Sequence, residues 1–156
     1  MGAIFNVFPL LLVPVLVYNI WAFGSTAARV TPADIRRHLE VDRMFSVPMA
    51  SSETLSNGVV APVMWDVSFG TLLVLLSLLF LFIELLKSTS TGTSAIFNHA
   101  LSMLVFIICL VEFLLHPAFA TSTFFIIMVM ALLDVLAGVV VTIVSARRDV
   151  EFAGHQ

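Results

Sequence analysis

Charge is scarce in this chain. Only 11% of its 156 residues are charged, while 60% are hydrophobic. A soluble domain carries about 25% charged and about 45–50% apolar residues. Seven Lys and Arg against ten Asp and Glu give a net charge of −3 with no basic patch, which argues against nucleic acid as a partner. Cysteine is nearly absent: Cys109 stands alone, so no intrachain disulfide can form. It sits in an apolar run and reads as a small hydrophobe. Motifs for nucleotide, haem or redox metal are missing. His99 and His116 lie at opposite ends of one apolar run and cannot grip a single haem. No nucleophile and base are placed as acyl or phosphoryl transfer requires. The expectation is a non-enzymatic protein without a cofactor.

Long apolar runs are what the chain does have. Their lengths predict an all-α integral membrane protein, a single domain over 1–156. It would be a four-transmembrane-helix bundle with spans near 3–24, 67–87, 95–116 and 122–146. No Lys or Arg precedes the first run, and it is too long for the core of a signal peptide, so it reads as a span. Pro9 and Pro14 are expected to kink it, and Tyr18 and Trp21 to sit in an interfacial belt.

One long polar loop, 25–65, separates the first two spans. Thr31-Pro32-Ala33-Asp34 is a helix start, with Thr as N-cap, Pro at the first position and an acid at the third. It predicts a short helix over about 32–44 lying at the membrane surface, with Arg36 and Glu40 paired at i,i+4. Two apolar pieces, 45–49 and 59–65, flank the turn signal Asn57-Gly58. They can pair as a hairpin or rest on the bilayer, and each carries a proline that weakens a strand. This loop, with Arg36 and Arg37, is the candidate partner-binding surface.

Spans two to four each carry a polar stripe. The first joins Asp66, Gly70, Ser77 and Glu84. The second joins Asn98, Ser102, Val105, Cys109, Glu112 and His116 at alternating four and three. The third joins Ala131, Asp134, Gly138, Thr142 and Ser145. A carboxylate at mid-depth costs roughly 2.5–3.5 kcal/mol against lipid. Asp134 is therefore expected on an inward or subunit-facing seam, bonded to Ser102, Asn98 or Ser77. Glu84 is expected to be an interfacial acid paired with Lys87. Gly70, Ser77, Asn98, Ser102, Gly138 and Thr142 suit a helix-packing seam. The tail from Asp149 is expected to lack structure.

The stretches 82–115 and 120–149 resemble a group of small four-span inner-membrane proteins of alphaproteobacteria. That resemblance implies a topology and a bacterial inner-membrane location, and no activity. Basic residues divide almost evenly: Arg29, Arg36, Arg37 and Arg43 against Lys87, Arg147 and Arg148. Acids interleave with the loop arginines, so both termini are expected on the cytoplasmic side.

Two functions follow. The leading one is association in the bilayer, with other membrane subunits or with itself. The alternative is a small proton- or ion-conducting protein using Asp134, Glu112, Glu84, His116 and Asp66. Glu112 and His116 share a helix face and can hold a divalent metal if Asp66 joins them, the remotest reading.

Overall fold

The computed structural model describes residues 8–87 and 93–153. Its elements are helix α1 (Leu12–Ala27), helix α2 (Pro32–Glu40), strands β1 (Arg43–Thr54) and β2 (Val60–Ser68), and helices α3 (Phe69–Lys87), α4 (Thr93–Leu115) and α5 (Ser122–Ala153). A single 3-10 turn, Pro117–Phe119, joins α4 to α5. Three helical stretches are long and apolar enough to cross a membrane: Phe69–Lys87, Ile96–Leu115 and Ser122–Val144. The protein is thus mainly helical, but it is not all-α, because β1 and β2 form a two-stranded antiparallel sheet.

The first apolar run differs from expectation. Its described helix has 16 residues, about 24 Å at 1.5 Å per residue, against a core of about 30 Å. Pro14 falls in the first turn, where its missing N–H interrupts no intrahelical bond, so it starts the helix instead of kinking it. The helix runs past Gly24 and ends when Arg29 takes a left-handed φ of 61°. The amide of Val30 reaches Ser25 O and that of Arg29 reaches Thr26 O, the paired bonds of a Schellman end.

Tyr18 is not interfacial. It is 0% exposed, its hydroxyl donating to Ala118 O at 3.0 Å and bonding Thr121 Oγ1 at 2.7 Å. Its ring lies 5.4 Å from Phe119 and 4.7 Å from Phe124, within the range of favourable aromatic pairs. This cluster seats α1 against the link between α4 and α5. Tyr18→Phe keeps the rings and strands two polar partners. It is expected to cost about 1–2 kcal/mol, read as a lower midpoint in detergent unfolding.

Helix α2 starts as the sequence predicts, with Thr31 Oγ1 accepting from the Asp34 amide at 3.2 Å. It stops at Glu40, short of residue 44, because β1 begins at Arg43. One face of it packs on the protein, with Ile35 and Leu39 buried in the main core against α3 and the 3-10 turn, while most of its other side chains are exposed. Glu40 turns away from Arg36 and accepts the Ser122 amide at 2.6 Å. Thr121 Oγ1 accepts the Phe124 amide at 3.1 Å. A carboxylate and a hydroxyl therefore cap α5, where the helix dipole favours negative charge. At the other end α5 continues through Ala153, beyond the expected boundary at Arg148. Arg and Glu are good helix formers, and the next glycine after Gly138 is Gly154.

Helix α5 is the centre, packed on both α3 and α4. Helix α1 runs antiparallel to α3, for the Leu10 amide meets Glu84 at one end while Tyr18 meets Ala118 toward the other. The molecule therefore has a hairpin end and a Glu84 end. The main core joins Val15, Tyr18, Leu39, Leu73, Val105, Cys109, Phe119, Phe124 and Ile127.

Candidate functional site

Two places in this fold can do something beyond holding it together. The first is a polar chamber at the Glu84 end. Glu84 is 0% exposed. Its carboxylate accepts from the Leu10 amide at 2.9 Å, from Lys87 Nζ at 3.0 Å and from Asn98 Nδ2. Lys87 also donates to Phe8 O at 2.8 Å. One carboxylate thereby ties the start of α1 to α3 and α4. The expected pairing with Lys87 is present; the position of the acid is what differs.

Asp134 lies deeper and is 1% exposed. Ser102 is the side-chain partner beside it, with Glu84, His99 and Lys87 in electrostatic range. No hydrogen bond closes between them, and both Asp134 oxygens and Ser102 Oγ are enclosed without a partner. Asn98 Oδ1 and His99 Nδ1 are also enclosed and unpartnered. Gly138 makes room for His99, since a Cβ there would run into the imidazole ring. Ser77 is not Asp134's partner, because it donates to Leu73 O of its own helix at 2.7 Å. Thr142 likewise donates to Gly138 O at 2.9 Å.

The remaining polar candidates stand elsewhere. Glu112 is half-buried and accepts from Asn19 Nδ2 at 3.2 Å. His116 Nδ1 caps the 3-10 turn by accepting from the Ala118 amide at 3.3 Å. Asp66 is exposed on β2, beside Arg43 at 3.5 Å and Ser46. Among the described residues no three His, Cys, Asp or Glu groups are placed to hold a metal, so Glu112, His116 and Asp66 do not make a centre. Nor do the carboxylates form a ladder. Ser102 and Glu112 are ten residues apart on α4, about 15 Å, and Val15, Leu73, Val105, Cys109 and Ile127 fill the level between as one buried apolar cluster. The Asn19–Glu112 bond had one signal in the sequence, an asparagine inside an apolar run.

The second place is the hairpin. The turn Asn57-Gly58 forms as predicted, with Gly58 at φ 79° and the Val59 amide bonded to Asn57 Oδ1 at 3.1 Å. Val47 pairs Trp65 and Pro48 pairs Met64, and an irregularity between Pro48 and Ser52 accommodates the prolines. Only the base is covered, at Val67 and Ser68. Phe45, Val47, Met49, Met64 and Trp65 are all exposed, Trp65 by 52%. Arg36 and Arg37 are exposed on the neighbouring α2, where Arg37 meets Asp42 at 3.4 Å.

No known protein family, curated protein or solved structure matches the chain. What the fold defines is a class: a helical protein with three apolar helices of membrane-spanning length and a small sheet beside them.

Proposed function

We propose that this chain is a four-span, non-enzymatic membrane protein that acts by association, docking another membrane subunit or a second copy of itself through the hairpin. Leu12–Ala27, with the apolar residues preceding it in sequence, makes the fourth crossing. Both termini then share one side, read as the cytoplasmic side of a bacterial inner membrane.

The observation that carries this is the hairpin's exposed apolar surface. A two-stranded ribbon is marginal in water by itself, and a contiguous exposed apolar patch marks an interaction site. Phe45, Val47 and Trp65 share one face of the ribbon, with Met64 on the other, and supply aromatic, aliphatic and Met side chains of the kind interfaces favour. Conduction is the weaker reading, because a path from Glu112 to Asp134 must cross the buried apolar level around Cys109.

Replacing Val47 and Trp65 together by serine is expected to weaken co-migration or cross-linking in mild detergent at least tenfold, about 1.4 kcal/mol. The unfolding midpoint of the bundle should stay nearly constant, and Arg36→Ala with Arg37→Ala should have a smaller effect in the same direction. Unchanged association, or a bundle that unfolds, removes the docking role. Reporter fusions after Lys87 and after Gln156 should agree with each other and oppose one near Ser52. Disagreement between the first two removes the four-span topology.

A further inference from the structure

The chamber at the Glu84 end has an unbalanced charge and an unbalanced set of hydrogen-bonding atoms. We propose that it binds one sodium-sized monovalent cation between Asp134, Ser102 and Asn98. The site is separate from the hairpin and does not depend on it.

Charge is the first argument. Glu84 and Asp134 are both enclosed. Lys87 pairs with Glu84 at 3.0 Å, so one ammonium answers one carboxylate. Among the described residues the charged and titratable groups facing Asp134 are Glu84 and Lys87 from α3 and His99 from α4; α1 carries no charged residue. Lys87 is the one lysine or arginine among them, against two acids. An unpaired carboxylate is costly in an apolar interior and calls for a neutralising partner. A single residual charge suits a monovalent ion and is too little for a divalent one.

The unpaired atoms are the second argument. Both Asp134 oxygens and Asn98 Oδ1 lack a partner, and so does Ser102 Oγ. An ionised carboxylate and an amide oxygen only accept. Ser102 has one proton and His99 Nδ1 can offer at most one more, so the three acceptor oxygens are not all served. A proton on Asp134 would supply one donor and leave other acceptors unmet. A hard cation takes several oxygens at once. Asn98 and Ser102 stand one turn apart on one face of α4, and Ser102 is beside Asp134. The Asn98 amide is oriented by its bond from Nδ2 to Glu84, which leaves Oδ1 for a ligand. Gly138 keeps the imidazole of His99 seated at the rim.

The test uses the full chain in detergent. Its unfolding midpoint is followed by the fluorescence of Trp21 and Trp65 while sodium chloride replaces choline chloride at constant ionic strength, at pH 8 and pH 5.5. A saturable rise with sodium is expected at pH 8. At pH 5.5 a competing proton should raise the half-saturating concentration at least tenfold. Asp134→Asn should abolish the sodium response, and Ser102→Ala should weaken it several-fold. If Asp134→Asn does not fold, Ser102→Ala decides. Equal midpoints in sodium and choline at both pH values overturn the proposal. So does a midpoint that follows pH alone, which means a proton or water only. A sodium response unchanged in the variants also overturns it.

Discussion

Glu84→Ala is expected to be the most damaging single substitution at the chamber. Three donors lose their acceptor at once, the Leu10 amide, Lys87 Nζ and Asn98 Nδ2, and the lysine that also donates to Phe8 O loses the acid that positions it. Removing one member of a buried ion pair costs about 3–5 kcal/mol. Lys87 retains 11% side-chain exposure and can extend its ammonium toward the interface, so the lower limit, about 3 kcal/mol, is the expected figure. Glu84→Gln should recover much of the loss, since its oxygen still accepts while the charge is gone. The check is reversible unfolding in mixed micelles. If alanine costs less than about 1 kcal/mol, the acid is not the tie between α1, α3 and α4.

Gly70→Ala should be nearly as severe, for a reason of shape and not of charge. A Cβ at Gly70 would meet Leu39 O at 2.6 Å and press on Thr123 Oγ1. The first contact is with backbone and cannot swing aside, so α2 must lift from α3. Overpacking of this kind costs about 1–3 kcal/mol. Lifting α2 also withdraws Glu40 from the Ser122 amide, so the upper part of that range is expected. Gly24→Ala is the internal control, because open space surrounds its Cβ position. Equal midpoints for the two variants would show that the α2–α3 contact is not close.

The helices of this fold are legible because length and apolarity suffice to find a span, and Pro117 marks where α4 stops. The face of α3 bearing Gly70, Ser77 and Glu84 and that of α4 bearing Asn98, Ser102 and Cys109 are buried, as a repeat of three and four implies. Depth is what the repeat does not convey. Glu84 looks interfacial from its place near a helix end, and only the arrival of Leu10 from another element encloses it. Tyr18 fails the same way: an aromatic near a span end suits the interface, but the Ala118 carbonyl, a hundred residues away, draws it inside. Asp66 looks like the first turn of a span because the strand before α3 is itself apolar. Ser68, which accepts the Thr71 amide at 3.2 Å, is the residue that switches strand to helix. The chamber was half legible: Asp134 and Glu84 stand out as acids, while the fit of His99 over Gly138 depends on the relative rotation of two helices, which no single stretch encodes.

The central place of α5 has a consequence for how the protein comes to exist. Synthesis delivers α5 after α3 and α4, yet both lean on it, and among the described residues they join one another through Glu84 and Asn98. Until α5 is made, α3 and α4 lack the surface on which both of them pack. The seat of Tyr18, the anchor of Glu40 and the wall of the chamber beside Asp134 all wait for the same helix. A chain that stalls before Ser122 is therefore not a smaller version of this protein. It keeps the contacts of α1 and α2 with α3 but lacks the helix on which α3 and α4 both pack.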